Sequence, residues 1–390
     1  MKRTKNVLAM LLAIALVLCS CGGGNTADTG PIKIGVNYEL SGAVASYGID
    51  SVRGIQMAID EINAAGGIKG RTVELVIYDN TSEPAEATSL AAKLMEQDNV
   101  VACLGPATSG SFKATIPSAQ SNKVPVISAS ATADKEVTVD ANGNVNEYVF
   151  RICFTDSFQG VTMANFSANT LNAQNAVIFM DSASDYAKGL AESYRATFEA
   201  LGGNIVAEEA YVAGDTDFRA VLTKIKATNP EVMFIPGYYE EAGLIIAQAR
   251  EQGIDIPILG ADGFDSPTLA DLAGKEALTD VFFSNHYSSL DESQSVQDFI
   301  AAFKAANNDV APNAFEALGY DLGNFIADCV SRAATIDGEG VKNAIAETTN
   351  FVGVTGSFSI GADHNPVKAV VVIELNNGEQ VGAQRVEVSQ

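Results

Sequence analysis

"PIKIGVNYELSGAVASYGIDSVRGIQMAIDEINAAGGIKGRTVELVIYDN", residues 31–80, holds a strand, a helix and a second strand in immediate succession. Residues 31–40 alternate apolar and polar and run into turn-forming residues, as a half-buried strand does. Val52, Ile55, Ile59 and Ile62 then recur at helical spacing on one face, and "AAGG" at 64–67 ends the helix. "TVELVIYDN" at 72–80 reads as the next strand. Two strands joined through a helix lie parallel, because a tight turn cannot reverse the chain twice.

The same alternation continues outward. "EPAEATSLAAKLMEQ" is a helix with Pro84 near its first turn, "VVACLGP" a strand, "SGSFKATIPSAQSN" a helix and "VPVIS" a strand. It restarts near Ala176: "NAVIFMD", "NIVAEEAYV", "VMFIPGY", "PILGAD" and "DVFFSNHY" are strands. Helices at "YAKGLAESYRATFEALGG", "DFRAVLTKIKATN", "EEAGLIIAQAREQG" and "PTLADLAG" separate them. Further helices follow at "SVQDFIAAFKAANN", "AFEALGYDLGNFIADCVSRAA" and "VKNAIAETT", and a hairpin closes the chain with its turn at Asn376-Asn377-Gly378. Short apolar strands between helices imply parallel sheets covered on both faces. Two such series predict an α/β protein of two doubly wound lobes.

The N-terminus predicts a secretory leader over residues 1–20. Lys2, Arg3 and Lys5 precede an apolar run from Val7 to Val17, and Leu18 and the small Ser20 precede Cys21. That ending makes Cys21 the expected lipidation site, with residues 21–30 as a loose tether to the outer face of the cell membrane. The apolar run is short for a membrane-spanning helix. Cleavage before Cys21 takes away three cations and moves the net charge from −24 to −27. So acidic a chain, with no basic stripe, argues against nucleic acid as a partner.

Hydrophobic residues make up 47% of the chain, enough for two packed cores. Cys103, Cys153 and Cys329 are too widely spaced for a disulfide framework or a metal cluster and are expected to be buried thiols. No glycine-rich phosphate loop is present, and no cofactor is expected. His286 and His364 alone cannot assemble a metal cluster or a nucleophile–base pair, so no catalytic constellation is predicted. "DANGNVNEYVFR" at 140–151 looks like a calcium loop but lacks the sixth-position glycine and ends in Arg151, so it reads as a polar surface loop. What remains is a two-lobed protein suited to ligand capture.

"VPVISASATADKE", residues 124–136, points the same way: a strand ends in Ser128, Ser130 and Thr132 with only alanines between, a surface that a small charged molecule can approach closely. "SGAVASYG", "EINAAGGIKG", "VELVIYDN", "LGPATSGS", "PVISASATA", "DYAKGLA", "FIPGYY" and "ILGADG", in this order, resemble the periplasmic-type branched-chain amino-acid receptors of ABC transporters. The similarity covers essentially the whole chain from Ile32 onward. It implies a type I periplasmic-binding-protein fold, two lobes joined by three chain crossings with the ligand clamped between them. One lobe is then expected over 31–154 and 287–355, the other over 155–286 and 356–390.

The resemblance also implies a site. Ser109 stands where the family holds the ligand carboxylate. Ser130 and Thr132 stand where backbone and hydroxyl groups meet both the carboxylate and the ammonium. Tyr186 and Tyr238 come from the second lobe, Asp262 faces the ammonium, and Tyr47 lines the side-chain end. Each has a plainer reading: a helix cap for Ser109, turn residues for Ser130 and Thr132, packed aromatics for the tyrosines, an Asp-Gly turn for Asp262. The residue types suit the role nonetheless. Ser109 precedes a helix, where free N–H groups favour an anion, and Asp262 ends a strand, where open α/β sheets bind ligands.

Ser130 stands where many of these receptors carry alanine, Asp262 is shorter than the usual glutamate, and Pro106 and Ala107 are smaller than the usual loop residues. Glu316, near the cleft in relatives, is either a site residue or a solvated helix residue. The expectation is a lipid-anchored, monomeric receptor that takes an aliphatic amino acid and passes it to an ABC permease. The alternatives are a receptor for a short amide or an aromatic acid, or a sensor module, the latter disfavoured because no transmembrane helix or signalling domain follows residue 390.

Overall fold

The structure, a computed structural model, describes residues 30–387. The predicted leader and Cys21 lie outside them. Among the described residues no helix is long and apolar enough to cross a membrane.

The chain opens with β1 (Ile32–Tyr38), α1 (Ala45–Ala64), β2 (Val73–Asp79), α2 (Pro84–Glu96), β3 (Cys103–Leu104), α3 (Ser109–Asn122), β4 (Val126–Ser128) and β5 (Val149–Arg151). The five strands form one parallel sheet in the order β2-β1-β3-β4-β5. Then come α4 (Asp156–Asn165), β6 (Asn175–Asp181), α5 (Asp185–Ala200), β7 (Asn204–Tyr211), α6 (Arg219–Ala227) and β8 (Val232–Phe234). They lead into α7 (Tyr239–Glu251), β9 (Ile258–Gly260), α8 (Pro267–Ala273) and β10 (Val281–Asn285).

α9 (Gln294–Ala306), α10 (Ala314–Arg332), α11 (Gly338–Ala346) and a small hairpin of β11 (Phe351–Gly353) and β12 (Gly356–Phe358) follow, before β13 (Val370–Asn376) and β14 (Glu379–Val386) end the fold. The second sheet has seven strands in the order β14-β13-β10-β9-β8-β6-β7, parallel except for β13 and β14. The β13–β14 turn has positive φ at Asn377 and Gly378, the geometry that its Asn-Gly pair predicts.

The central strands of both sheets are buried on both faces, as their near-continuous apolar runs require, whereas the edge strands β2, β7 and β14 are partly exposed. α1 and α10 cover the first sheet and touch backbone to backbone: a Cβ on Gly54 would meet the Glu316 carbonyl at 2.1 Å, and one on Gly319 the Ser51 carbonyl at 2.1 Å. The chain passes between the two sheets over residues 152–155, 286–293 and 359–369.

Buried groups tie these passages together. Arg151, fully buried, donates to Ala131 O (2.9 Å), to Ala133 O (2.8 Å) and to Asn365 Oδ1. Lys368 donates to Ile152 O (3.3 Å) and to the Thr355 hydroxyl, and burial pulls its ammonium down to about 8. Phe154 stacks on His286 and Phe150 on His364, with ring centroids 3.7 and 4.0 Å apart.

Sequence and structure differ most between 140 and 170. The stretch expected as a polar loop does begin as one: the Asp140 carboxylate accepts from Asn142 N, Asn144 N and Asn144 Nδ2. It ends, however, in the buried strand β5, too short to signal itself beside so many polar residues. α4 carries no clear sequence signal either, because its glycine and polar residues blur the apolar stripe. Gly160 sits there because a Cβ would strike Ser193 and the Leu190 carbonyl of α5. Cys103, Cys153 and Cys329 are buried, unpaired thiols.

Candidate functional site

A pocket between the two sheets is lined by Ser109 and Ser130 from the first and by Tyr186, Tyr238 and Asp262 from the second, with Tyr47 and Phe315 at one end. Six of the seven residues singled out in the sequence meet there. The seventh, Thr132, is two residues beyond Ser130 and does not line the pocket; it is fully buried, with no hydrogen-bond partner for its hydroxyl.

The serine-rich loop after β4 divides its labour. Ser128 is structural: its hydroxyl donates to Pro106 O (2.7 Å) and accepts from Ala131 N (3.0 Å), folding the chain back on itself. The Ser130 hydroxyl is committed to Ala107 O (3.0 Å), so what it offers a ligand is backbone. Ser109 opens α3, and its hydroxyl accepts from Ala133 N (3.1 Å). Thr108, the residue before that helix, gives it no side-chain cap. The first-turn N–H groups thus form a site for an anion.

Glu39 holds this loop from beneath, accepting from Ala107 N, Thr108 N and the Thr108 hydroxyl. Burial pushes its carboxyl up, and these three donors hold it down.

The opposite wall is acidic. Asp262, almost completely buried, ends β9 in a 3₁₀ turn. Its Oδ1 accepts from Tyr186 OH (2.7 Å) and Gln159 Nε2 (3.0 Å), and Oδ2 lies 3.2 Å from His286 Nε2. Gln159 in turn accepts from Asp262 N and Ser284 Oγ, which fixes its orientation. Burial lowers the affinity of His286 for a proton, with the contact to Asp262 acting against it. Asp262 is therefore held by an amide, a phenol and an imidazole, and among the described residues no lysine or arginine pairs with it.

Aromatic rings close the far end. Tyr186 stacks on Tyr238 (5.2 Å, 11°), Tyr238 meets Tyr47 edge-on (5.6 Å), and Tyr47 stacks on Phe315 (4.4 Å, 25°). Tyr47 OH reaches across to donate to Gly263 O. Tyr239 OH donates to Ala43 O (3.1 Å), and Ser46 Oγ lies 2.8 Å from Ser266 Oγ. The exposed pairs Lys113–Asp185 (2.8 Å) and Lys135–Glu192 (2.8 Å) also cross the gap, each worth ~0–1 kcal/mol.

Sequence reasoning missed Phe315, Gln159, His286 and Tyr239. A signal existed for Phe315: Asn313 and Glu316 form a capping box, which places Phe315 on the first turn of α10. The others carry no local mark, since tertiary contact alone makes them part of the site. Glu316 is neither solvated nor in the pocket. It pairs with Arg53 beside a second cavity of about 270 Å³ that also borders Asp50, Asp265 and Ser266. Burial, then the nearby Asp50, pushes its carboxyl up to about 7.

Comparison with known proteins fits this geometry. Residues 31–380 match the periplasmic binding protein family. An "amino acid binding protein" of Pseudomonas aeruginosa is 35% identical over 67% of this chain and 68% of its own length. A leucine-, isoleucine-, valine-, threonine- and alanine-binding protein of the same organism is 29% identical over 90% of both chains. Among solved structures, the branched-chain amino acid transporter substrate-binding protein LivJ of Streptococcus pneumoniae, in complex with isoleucine, is 43% identical. It superposes with a TM-score of 0.87 over 92% of this chain and 100% of its own. The chain belongs to the periplasmic binding protein family and has its type I fold.

Proposed function

We propose that this protein captures an aliphatic amino acid, leucine, isoleucine or valine first, and delivers it to an ABC importer. The observation that carries the reading is the pairing of opposite chemistries across one gap: an uncapped helix start at Ser109 faces a buried, neutrally solvated Asp262. A zwitterion fits between them, its carboxylate on the first-turn N–H groups and its ammonium toward Asp262. The rings of Tyr47, Tyr238 and Phe315 take the apolar side chain. The relatives named for leucine, isoleucine and valine support the choice of ligand.

The lobes in this reading are 31–154 with 287–358 and 155–286 with 359–390. Phe351 and Phe358 of the β11–β12 hairpin both pack on Phe325 of α10, so the hairpin groups with the first lobe and the last boundary falls after Phe358 rather than at 355. Binding shifts the two lobes toward the closed arrangement, which the permease reads. One chain takes one ligand.

A thermal-shift screen tests the reading. Leucine, isoleucine and valine raise the melting temperature with the logarithm of ligand excess, and calorimetry returns one site per chain. A shift with amides or aromatic acids and with no amino acid overturns it.

Anchoring through Cys21 belongs to the same proposal. It rests on the basic start, the apolar run and the small residue before the cysteine. Expressed in a bacterial host, the chain moves from the membrane fraction to the soluble fraction when Cys21 is replaced by alanine. An unchanged distribution refutes the anchor.

A further inference from the structure

Asp50, Asp265 and Glu316 gather around the second cavity, apart from the ligand pocket. Asp50 and Glu316 are almost completely buried and Asp265 is partly so. Among the described residues that line this cavity, Arg53 is the one cation. Three carboxylates thus share a single guanidinium, an excess of negative charge held away from water.

Polar contacts close a ring around the cavity, and the ring crosses twice between the proposed lobes. At one crossing Asp265 Oδ2 accepts from Ala314 N (2.9 Å), at the start of α10, and from Asn285 Nδ2 (2.7 Å) on its own side. At the other, Ser266 Oγ lies 2.8 Å from Ser46 Oγ. Asp50 joins the two crossings within the first lobe, accepting from Asn313 Nδ2 (2.7 Å), Arg53 Nη1 (3.1 Å) and Ser46 Oγ (3.4 Å). Glu316 accepts from Asn313 N (2.7 Å) and from Arg53. The second lobe therefore lays Asp265, Ser266 and Pro267 over two acids that the first lobe already holds together. Parting the lobes removes both the cover and the third acid.

We propose that this ring is a proton-operated clasp: the lobes close on a ligand as the acid cluster takes up a proton that the open arrangement releases. The inference rests on the two-lobed amino-acid reading above and adds a regulation to it.

The direction follows from what closure does to each group. Burial, then Asp50, pushes the Glu316 carboxyl up to about 7, against Asn313 and Arg53. Burial also raises Asp50, opposed by Asn313, Arg53 and Ser46. It raises Asp265 too, with Asn285 and Ala314 N opposing, and Asp50 and Asp262 adding to it. Tyr239 and Tyr287 face the same groups, and burial pushes both phenols up, so they stay neutral. From α8, β10 and the β13–β14 hairpin come Leu269, Phe283, Leu375 and Gln380, none of which titrates. Opening returns water to the cluster and lets its carboxyls fall back toward the ordinary carboxylate range. Because the closed form has the higher value, closure is favoured in full below the ordinary range. That favour is lost as pH rises through about 7, so leucine affinity falls toward that pH and is level beyond it.

Calorimetry of leucine binding from about pH 5 to about pH 8 is the test. Affinity of the unaltered protein is about three- to tenfold lower at the upper end, since each pKa unit between the two forms is worth tenfold. Buffers of different ionisation enthalpy show proton uptake across the fall. Glu316→Gln keeps the shape and is neutral at every pH, so its profile is level and the uptake is gone. Asp50→Asn leaves Glu316 in place but removes the neighbouring charge that raises it, and moves the fall to lower pH, a displacement that a merely structural change does not produce. A level profile in the unaltered protein, or a fall that persists in Glu316→Gln, overturns the inference and leaves the amino-acid reading standing. If the unaltered protein binds no amino acid, both fall.

Discussion

Asp262→Ala is expected to lower affinity for leucine and isoleucine by about a hundredfold to several thousandfold, measured by titration calorimetry. The estimate comes from the cost of leaving one member of a buried charge pair unpartnered, ~3–5 kcal/mol, at ~1.4 kcal/mol per decade. The wild-type carboxylate is already oriented by Tyr186, Gln159 and His286, so little of its binding energy is spent on ordering it. Asp262→Asn keeps the shape and an acceptor oxygen while removing the charge, and should fall between the two. The opposite sign is expected for ligands without an amine, because Asp262 then loses a desolvated charge with nothing to pair it. Unchanged leucine affinity in Asp262→Ala would place the ammonium elsewhere.

Arg151→Met should be strongly destabilising in chemical denaturation, since each buried acceptor left unpaired costs ~1–3 kcal/mol. The side chain is fully buried, and its guanidinium holds Ala131 O, Ala133 O and Asn365 at once. Methionine preserves most of the bulk, so the loss isolates hydrogen bonding to two carbonyls and an amide that water cannot reach. Lysine should not rescue it, since a point charge on a flexible stem cannot bridge three acceptors in a fixed fork. Because Ala131 and Ala133 flank Thr132, ligand affinity should fall alongside stability. A loss below ~1 kcal/mol would mean that the carbonyls find other donors when the arginine is gone.

Most of the fold was legible because it is written in local periodicities. Residues 31–80 announce strand, helix and strand, and 175–181 is strand from end to end as read. The strand positions of the serine-rich shelf, the Asp-Gly turn and the Ser109 helix start also show in the sequence, since each is a chain ending with a recognisable cap or turn. Arg151 illustrates what did not show. As the last residue of a polar stretch it looks solvated, yet it is the most buried cation among the described residues. Only the third passage, arriving with Asn365 from more than two hundred residues away, turns it into an interior group. Gln159 and His286 were hidden for the same reason: each meets Asp262 only through the packing of separate elements.

One contact near the pocket bears on how the protein reports its state. Asp265 sits one 3₁₀ turn beyond Asp262, and its Oδ2 accepts from Ala314 N at the start of α10 (2.9 Å) and from Asn285 (2.7 Å). The acid proposed to face the ammonium and the acid that bonds to the start of α10 are therefore fixed to a single short rung of backbone. Tilting one tilts the other, so seating a charged nitrogen and shutting the jaws become a single movement. A cargo of the wrong polarity would leave that rung out of line, and any protein inspecting the outer rim would find it ajar.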